Sequence, residues 1–162
     1  MRITDLLSKD GIELNVNAKD KNDIINKMTK LMLKTGRITD LNAYKELVLK
    51  REEEGSTGVG EGIAIPHGKG DCVTEPGLVA MVVPNGVEYD ALDGKPVNLL
   101  FMIAAPNTSD NVHLDVLSRL STMLMDTEFK NKLISAKSKE EFLNIINETE
   151  NEKFKEEKVW CW

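Results

Sequence analysis

Two histidines and one arginine define the chemistry open to this chain: His67, His113 and Arg51. His67 lies in the stretch GSTGVGEGIAIPHGKG, residues 55–70, which holds six glycines and one proline. Pro66 fixes its own φ and restricts Ile65, while Gly68 frees the backbone just after the ring. The pattern presents an imidazole on a stiff stem at the surface. A glycine-rich connection with an incidental histidine has the same composition, so composition alone leaves both readings open. A neutral imidazole is a competent nucleophile near pH 7, because its unperturbed pKa is about 6.5. Arginine offers oxyanions a bidentate fork, and a second imidazole can donate a hydrogen bond to the same oxygens. That set suits phosphoryl transfer, which needs in-line positioning and cancellation of charge on the equatorial oxygens more than covalent help. Thr57 and Ser56 are further candidate donors.

The elements that must position these residues follow from periodicity. Residues 12–16 alternate and predict a first strand. Asp20 caps a predicted helix over 21–35, with Ile24, Met28, Leu31 and Met32 as its buried stripe and Gly36 as its end. Asp40 opens a second, to about residue 53, with Leu41, Tyr44, Leu47 and Val48 inward. Arg51 stands at i+4 from Leu47 and i+3 from Val48, so it continues that face at the helix end. There it can satisfy the last carbonyls, or reach into the glycine stretch that begins at Gly55. Residues 55–77 read as a long connection with a short strand-like piece at 63–65, and long connections in compact domains tend to be functional.

Residues 78–83 and 97–104 are nearly continuous apolar runs, the mark of strands buried on both faces. Between them lie a turn, a short edge strand and a second turn at Asp93-Gly94. The third helix starts after Pro106, with Thr108, Ser109 and Asp110 as possible caps. Its core stripe is Val116, Leu117, Leu120, Met123 and Leu124. His113 is the polar first member of that stripe, in or near the first turn, beside free backbone N–H groups and a positive dipole end. Two shorter helices follow: 128–136, burying Phe129 and Leu133, and 139–147, burying Phe142, Ile145 and Ile146. The expected fold class is α/β, a three-layer helix–sheet–helix sandwich around a mixed β-sheet. In such folds sites form at strand ends from loops and helix termini, and His67, Arg51 and His113 converge there by separate arguments.

Size and charge narrow the field. The chain has 162 residues, 41% hydrophobic and 30% charged, which suits one soluble domain. Its net charge of −6 and its lack of a basic patch argue against nucleic acid. Cys72 and Cys161 form no CxxC motif and are expected as free thiols in a reducing cytoplasm. No apolar core of signal-peptide length opens the chain, and its longest apolar run, 99–105, falls far short of the roughly 20 residues a membrane helix needs. Residues 148–162 are mostly charged and read as a linker or frayed end. The closing VWCW is either an artificial end or a short docking element.

Two blocks carry a resemblance over residues 3–147: REEEGSTGVGEGIAIPHGK and ALDGKPVNLLFMIAAPNTSDNVHLDVLSRL. Together they resemble the IIA domain of the fructose–mannitol class of the bacterial phosphoenolpyruvate-dependent sugar phosphotransferase system. The resemblance implies that His67, the histidine of the IPH block, carries a phosphoryl group. It also places the matching arginine, Arg51, beside it, and makes His113 a phosphoryl stabiliser. It implies a cytoplasmic phosphotransferase with a phosphohistidine intermediate and no cofactor. The donor would be the small carrier protein HPr, and the acceptor a cysteine of a IIB domain, with a membrane IIC domain downstream. The sugar would be fructose or mannitol. Residues 1–148 would form the IIA domain and 149–162 a charged tail.

Other readings compete. A regulatory IIA-like module would pass phosphoryl groups only to control transcription or other proteins, but YDALDGKPVNLLFMIAAP looks more like the fructose-type domains. Zinc binding by His67, Cys72 and His113 fits no structural zinc spacing and lacks an evident fourth ligand. A hydrolase would need a GxSxG or comparable nucleophile setting, which is absent. No P-loop is apparent, so the phosphoryl group must arrive on another protein.

Overall fold

The computed structural model describes residues 2–108 and 111–154. Among them, two long strands form the centre of the sheet: β5 (Gly77–Val87) and β6 (Val97–Pro106), paired antiparallel. β1 (Ile12–Glu13) adds parallel to β5. On the other edge of β6, β3 (Ile63–Ala64) and β4 (His67–Gly70) pair parallel, one after the other. β2 (Gly58–Gly60) closes the edge antiparallel to β3. The sheet is therefore mixed, in the order β1-β5-β6-β3-β2 with β4 also on β6.

Alternation along the central strands sorts the core into two halves. Val79, Met81 and Val83 of β5, with Leu100, Met102 and Ala104 of β6, face α2 (Lys21–Lys34) and α3 (Leu41–Glu53). Leu78, Ala80 and Val82, with Leu99, Phe101 and Ile103, face the other way. They meet α1 (Ile3–Leu6), α4 (Val112–Leu124), α5 (Thr127–Ser135) and α6 (Lys139–Lys153). This is the helix–sheet–helix sandwich expected. The caps read from the sequence form as well: Asp20 accepts from Asp23 N and Asp40 from Ala43 N, and Gly36, at φ 80°, ends α2.

Several boundaries differ from the sequence reading, each for a local reason. Residues 55–77 hold three short strands, because the open edge of β6 supplies ladder partners to β3 and β4, and β3 in turn to β2. Pro66 has no N–H to donate, so the ladder breaks there into β3 and β4, while its carbonyl still accepts from Ile103 N at 3.0 Å. The first strand stops at Glu13: Asn15 takes φ 58°, and Val16 rejoins only through its N–H to the carbonyl of Val82. α4 is preceded by Asn111, which makes no side-chain cap; Ser109 and Asp110 lie outside the described residues. α6 continues past residue 147 to Lys153 because its last inward residue is polar. Glu150 is fully buried, bonded to Ile3 N at 2.7 Å and to Arg119 Nε at 2.8 Å. Cys72 is a free thiol; Cys161 and the VWCW end lie outside the described residues.

Candidate functional site

The site begins with β4. His67 is in register with Ile103 of β6 and Lys69 with Ala105. Strand alternation turns His67 and Lys69 to the side of Ile65, toward α4, and Gly68 and Gly70 to the side of α3. Neither glycine adopts a left-handed conformation. They are needed for clearance: a Cβ on Gly68 would meet Leu47, Tyr44 and Val48 at 3.2–3.3 Å, and one on Gly70 would overlap Leu47 Cδ1. Gly68 therefore serves helix packing, not chain freedom after the ring. The Tyr44 hydroxyl, fully buried, donates to the carbonyl of Ile103 at 2.7 Å and seats α3 on the strand that His67 pairs with.

That close seat brings the C-terminal turn of α3 to the edge of β4. Arg51 lines one cavity of about 480 Å³ with His67 and His113. Its Nη1 donates to the carbonyl of Gly55 at 3.0 Å, and its Nε lies 3.9 Å from Glu54. Arg51 thus reaches the first carbonyl of the glycine stretch, past the end of α3.

The ring of His67 is held in one tautomer. Its Nδ1 lies 3.0 Å from the carbonyl of Ile65. A carbonyl can only accept, so Nδ1 carries the proton and the neutral ring leaves a lone pair on Nε2. His113, the second residue of α4, sets its ring centroid 6.3 Å away at an interplanar angle of 32°. Burial, reinforced by nearby Lys69 and His67, pushes the His113 pKa below the usual histidine range, with Asp115 opposing. Its Nδ1 is buried without a partner among the described residues. A neutral His113 therefore keeps its proton on Nε2, rather than on a nitrogen with no acceptor.

Among the described residues the rest of the lining is Lys50 and Lys69, the carboxylate of Glu54, and the apolar Leu47, Leu114 and Leu117. Leu114 is 50% exposed. Lys50, Lys69 and Glu54 were not foreseen. Lys69 was legible as i+2 from His67 had residues 67–70 been read as a strand. Ser56 and Thr57 do not join the site as expected. Ser56 Oγ donates to the carbonyl of Tyr89 at 3.2 Å, and the Thr57 hydroxyl is buried against Glu52 and Tyr89. Among the described residues no group of three or more His, Cys, Asp and Glu side chains is placed to hold a metal ion.

Residues 5–149 match the family described as "Phosphoenolpyruvate-dependent sugar phosphotransferase system, EIIA 2". The chain is 46% identical over 148 residues to the fructose-specific EIIABC component of Bacillus subtilis, covering 91% of this chain and 23% of that protein. Among solved structures it resembles the nitrogen regulatory protein IIA-Ntr of Neisseria meningitidis, with a TM-score of 0.82, 30% identity, and coverage of 88% of this chain and 97% of that one. It also resembles the complex of enzyme IIA-Mtl with phosphorylated enzyme IIB-Mtl from Escherichia coli, with a TM-score of 0.77, 28% identity, and coverage of 88% and 99%.

Proposed function

The chain belongs to the EIIA 2 family of the phosphoenolpyruvate-dependent sugar phosphotransferase system, and from that premise we propose that it is a phosphocarrier working through His67. The observation that carries the reading is the bond from His67 Nδ1 to the Ile65 carbonyl, which keeps the Nε2 lone pair free in a cavity with three cations. Nε2 attacks the phosphorus of phosphohistidine on HPr. The P–N bond to HPr breaks as the bond to Nε2 forms, while the proton stays on Nδ1, donated to the Ile65 carbonyl. Arg51 turns its fork from Gly55 to the equatorial oxygens, Lys69 adds charge, and His113 donates from Nε2. In the second half-reaction a cysteine thiolate of a IIB domain attacks the same phosphorus, and His67 leaves as the neutral imidazole.

The sugar reading is favoured over a regulatory one by 46% identity to a fructose-specific relative against 30% to the nitrogen regulatory protein. In this reading the sugar is fructose or mannitol, and a membrane IIC domain completes uptake. Among the described residues no helix is long and apolar enough to cross a membrane; in this reading the chain works at the cytoplasmic face beside that partner. The phosphocarrier domain runs to the end of α6 at Lys153, beyond the boundary expected at residue 148, because Glu150 is buried in it.

Incubation with phosphoenolpyruvate, enzyme I and HPr tests the reading. The chain takes up one acid-labile phosphoryl group and passes it to a fructose-type IIB domain. Full labelling of His67→Ala refutes the role of His67. Labelling without transfer to fructose- or mannitol-type IIB domains favours the regulatory reading.

A further inference from the structure

Glu52 follows Arg51 in the last turn of α3, yet its side chain is only 6% exposed. Its carboxylate accepts from the Thr57 N–H at 3.1 Å, from the Thr57 hydroxyl, and from the Tyr89 hydroxyl at 3.0 Å. Lys21 Nζ, from the first turn of α2, lies 2.8 Å away and rests over the Tyr89 ring. Burying a paired carboxylate adds little to stability over an apolar side chain of the same volume. What such a group does supply is position, because each of its partners is bound to one place.

Those partners lead to both sides of the site. The Thr57 carbonyl accepts from Ile65 N at 3.1 Å, and the Ile65 carbonyl is the one that holds His67 Nδ1. On the other side, Glu52 and Thr57 bracket Gly55, whose carbonyl receives the Arg51 fork. We propose that Glu52 is a positioning residue for phosphoryl transfer. Its carboxylate pins the turn over residues 54–57, so that the Arg51 fork and the His67 ring stay registered to one another. The proposal rests on His67 being the phosphoryl acceptor.

The full chain carrying Glu52→Gln is compared with wild type and with Glu53→Gln, which removes an exposed carboxylate one residue away. Three quantities are read: the single-turnover rate from phospho-HPr with its donor dependence, the unfolding temperature, and the His67 tautomer by imidazole ¹⁵N NMR. Loss of registration lowers the rate at saturating donor on the order of 10–100-fold. Half-saturation is unchanged, and the Nδ1–H tautomer of His67 loses its dominance. Glu53→Gln matches wild type. A wild-type rate in Glu52→Gln overturns the proposal, as does a rate loss with the tautomer intact. If Glu52→Gln does not fold, Lys21→Met, which keeps the carboxylate and removes its cation, decides on the same three readings. If wild type takes no phosphoryl group on His67, the functional reading fails instead, and the tautomer still reports whether Glu52 fixes the ring.

Discussion

Leu47 of α3 fills the space that a side chain at residue 70 would need. The glycine after Lys69 is therefore a packing requirement of the helix that delivers Arg51. Gly70→Ala displaces the end of the Leu47 side chain, and because that end can swing aside the cost falls at the low end of the about 1–3 kcal/mol typical of overpacking. Urea unfolding measures it. Leu47→Ala in the same chain restores part of the loss, so the double-mutant cycle shows a coupling between the two positions. Additive effects would place the strain elsewhere.

This relationship also marks what the sequence conveys and what it does not. The helices were legible because caps and apolar stripes agree: Asp20 and Asp40 accept the bonds their positions predict. The central strands were legible because β5 and β6 are buried on both faces. β4 was not, since HGKG has no apolar residue to show a period; its strand character comes from the ladder with β6. Reading it as a loop hid Lys69 and misassigned Gly68. The end of α6 was hidden because its inward residue, Glu150, is a carboxylate whose burial rests on partners far away in sequence, Arg119 and the Ile3 N–H. Glu61, six residues before His67, lines a separate groove of about 520 Å³ with Val59, Ile65 and Met125. Its backbone N–H is held there by Asp93.

Arg51→Lys keeps a cation but loses the planar fork. The fold stays within about 1 kcal/mol, since the side chain is 36% exposed and its ion pair is at the surface. Transfer slows by about 10²-fold, the usual result of removing a charge-stabilising donor. Stopped-flow or rapid-quench rates from phospho-HPr decide the matter. A wild-type rate would leave Arg51 as a helix-end cation alone.

Lys69→Met removes the cation nearest His67 along the strand. Phosphoryl transfer slows, and its salt dependence weakens, because one fewer charge steers the anionic group. An independent reading is available, since Lys69 is one cause of the lowered pKa of His113. NMR titration of His113 in Lys69→Met moves its midpoint up toward the ordinary histidine value. An unmoved midpoint would mean that the ammonium group does not share the site.

His113 admits two roles that make opposite predictions. A second acceptor would carry a phosphoryl group when His67 is gone; a donor would not. The geometry favours the donor. The ring sits in the first turn of α4 with Nδ1 buried and, among the described residues, without a partner, next to the packed stripe that begins at Val116. It is poorly free to meet two successive partner proteins. It is well placed to donate from Nε2 to oxygens on His67, whose ring centroid is 6.3 Å away. Such a donor is aligned to charge that develops during transfer, so its loss costs more in rate than in ground-state phosphorylation. His113→Ala thus still accepts from HPr on His67 and hands on to IIB about 10²–10³-fold more slowly.

The pH dependence follows from the same environment. The folded pKa lies below the unfolded value. Between the two, the unfolded chain binds more protons, so this group favours folding fully above about pH 6.5 and less as pH falls toward the folded pKa. A phosphoryl dianion on His67 reverses the balance, because it favours the imidazolium. Titration of His113 by ¹⁵N NMR therefore gives a midpoint below the ordinary range in the free chain and a higher one in the phosphorylated chain. A midpoint indifferent to phosphorylation, or a label on His113 in a His67→Ala background, would remove His113 from the transfer.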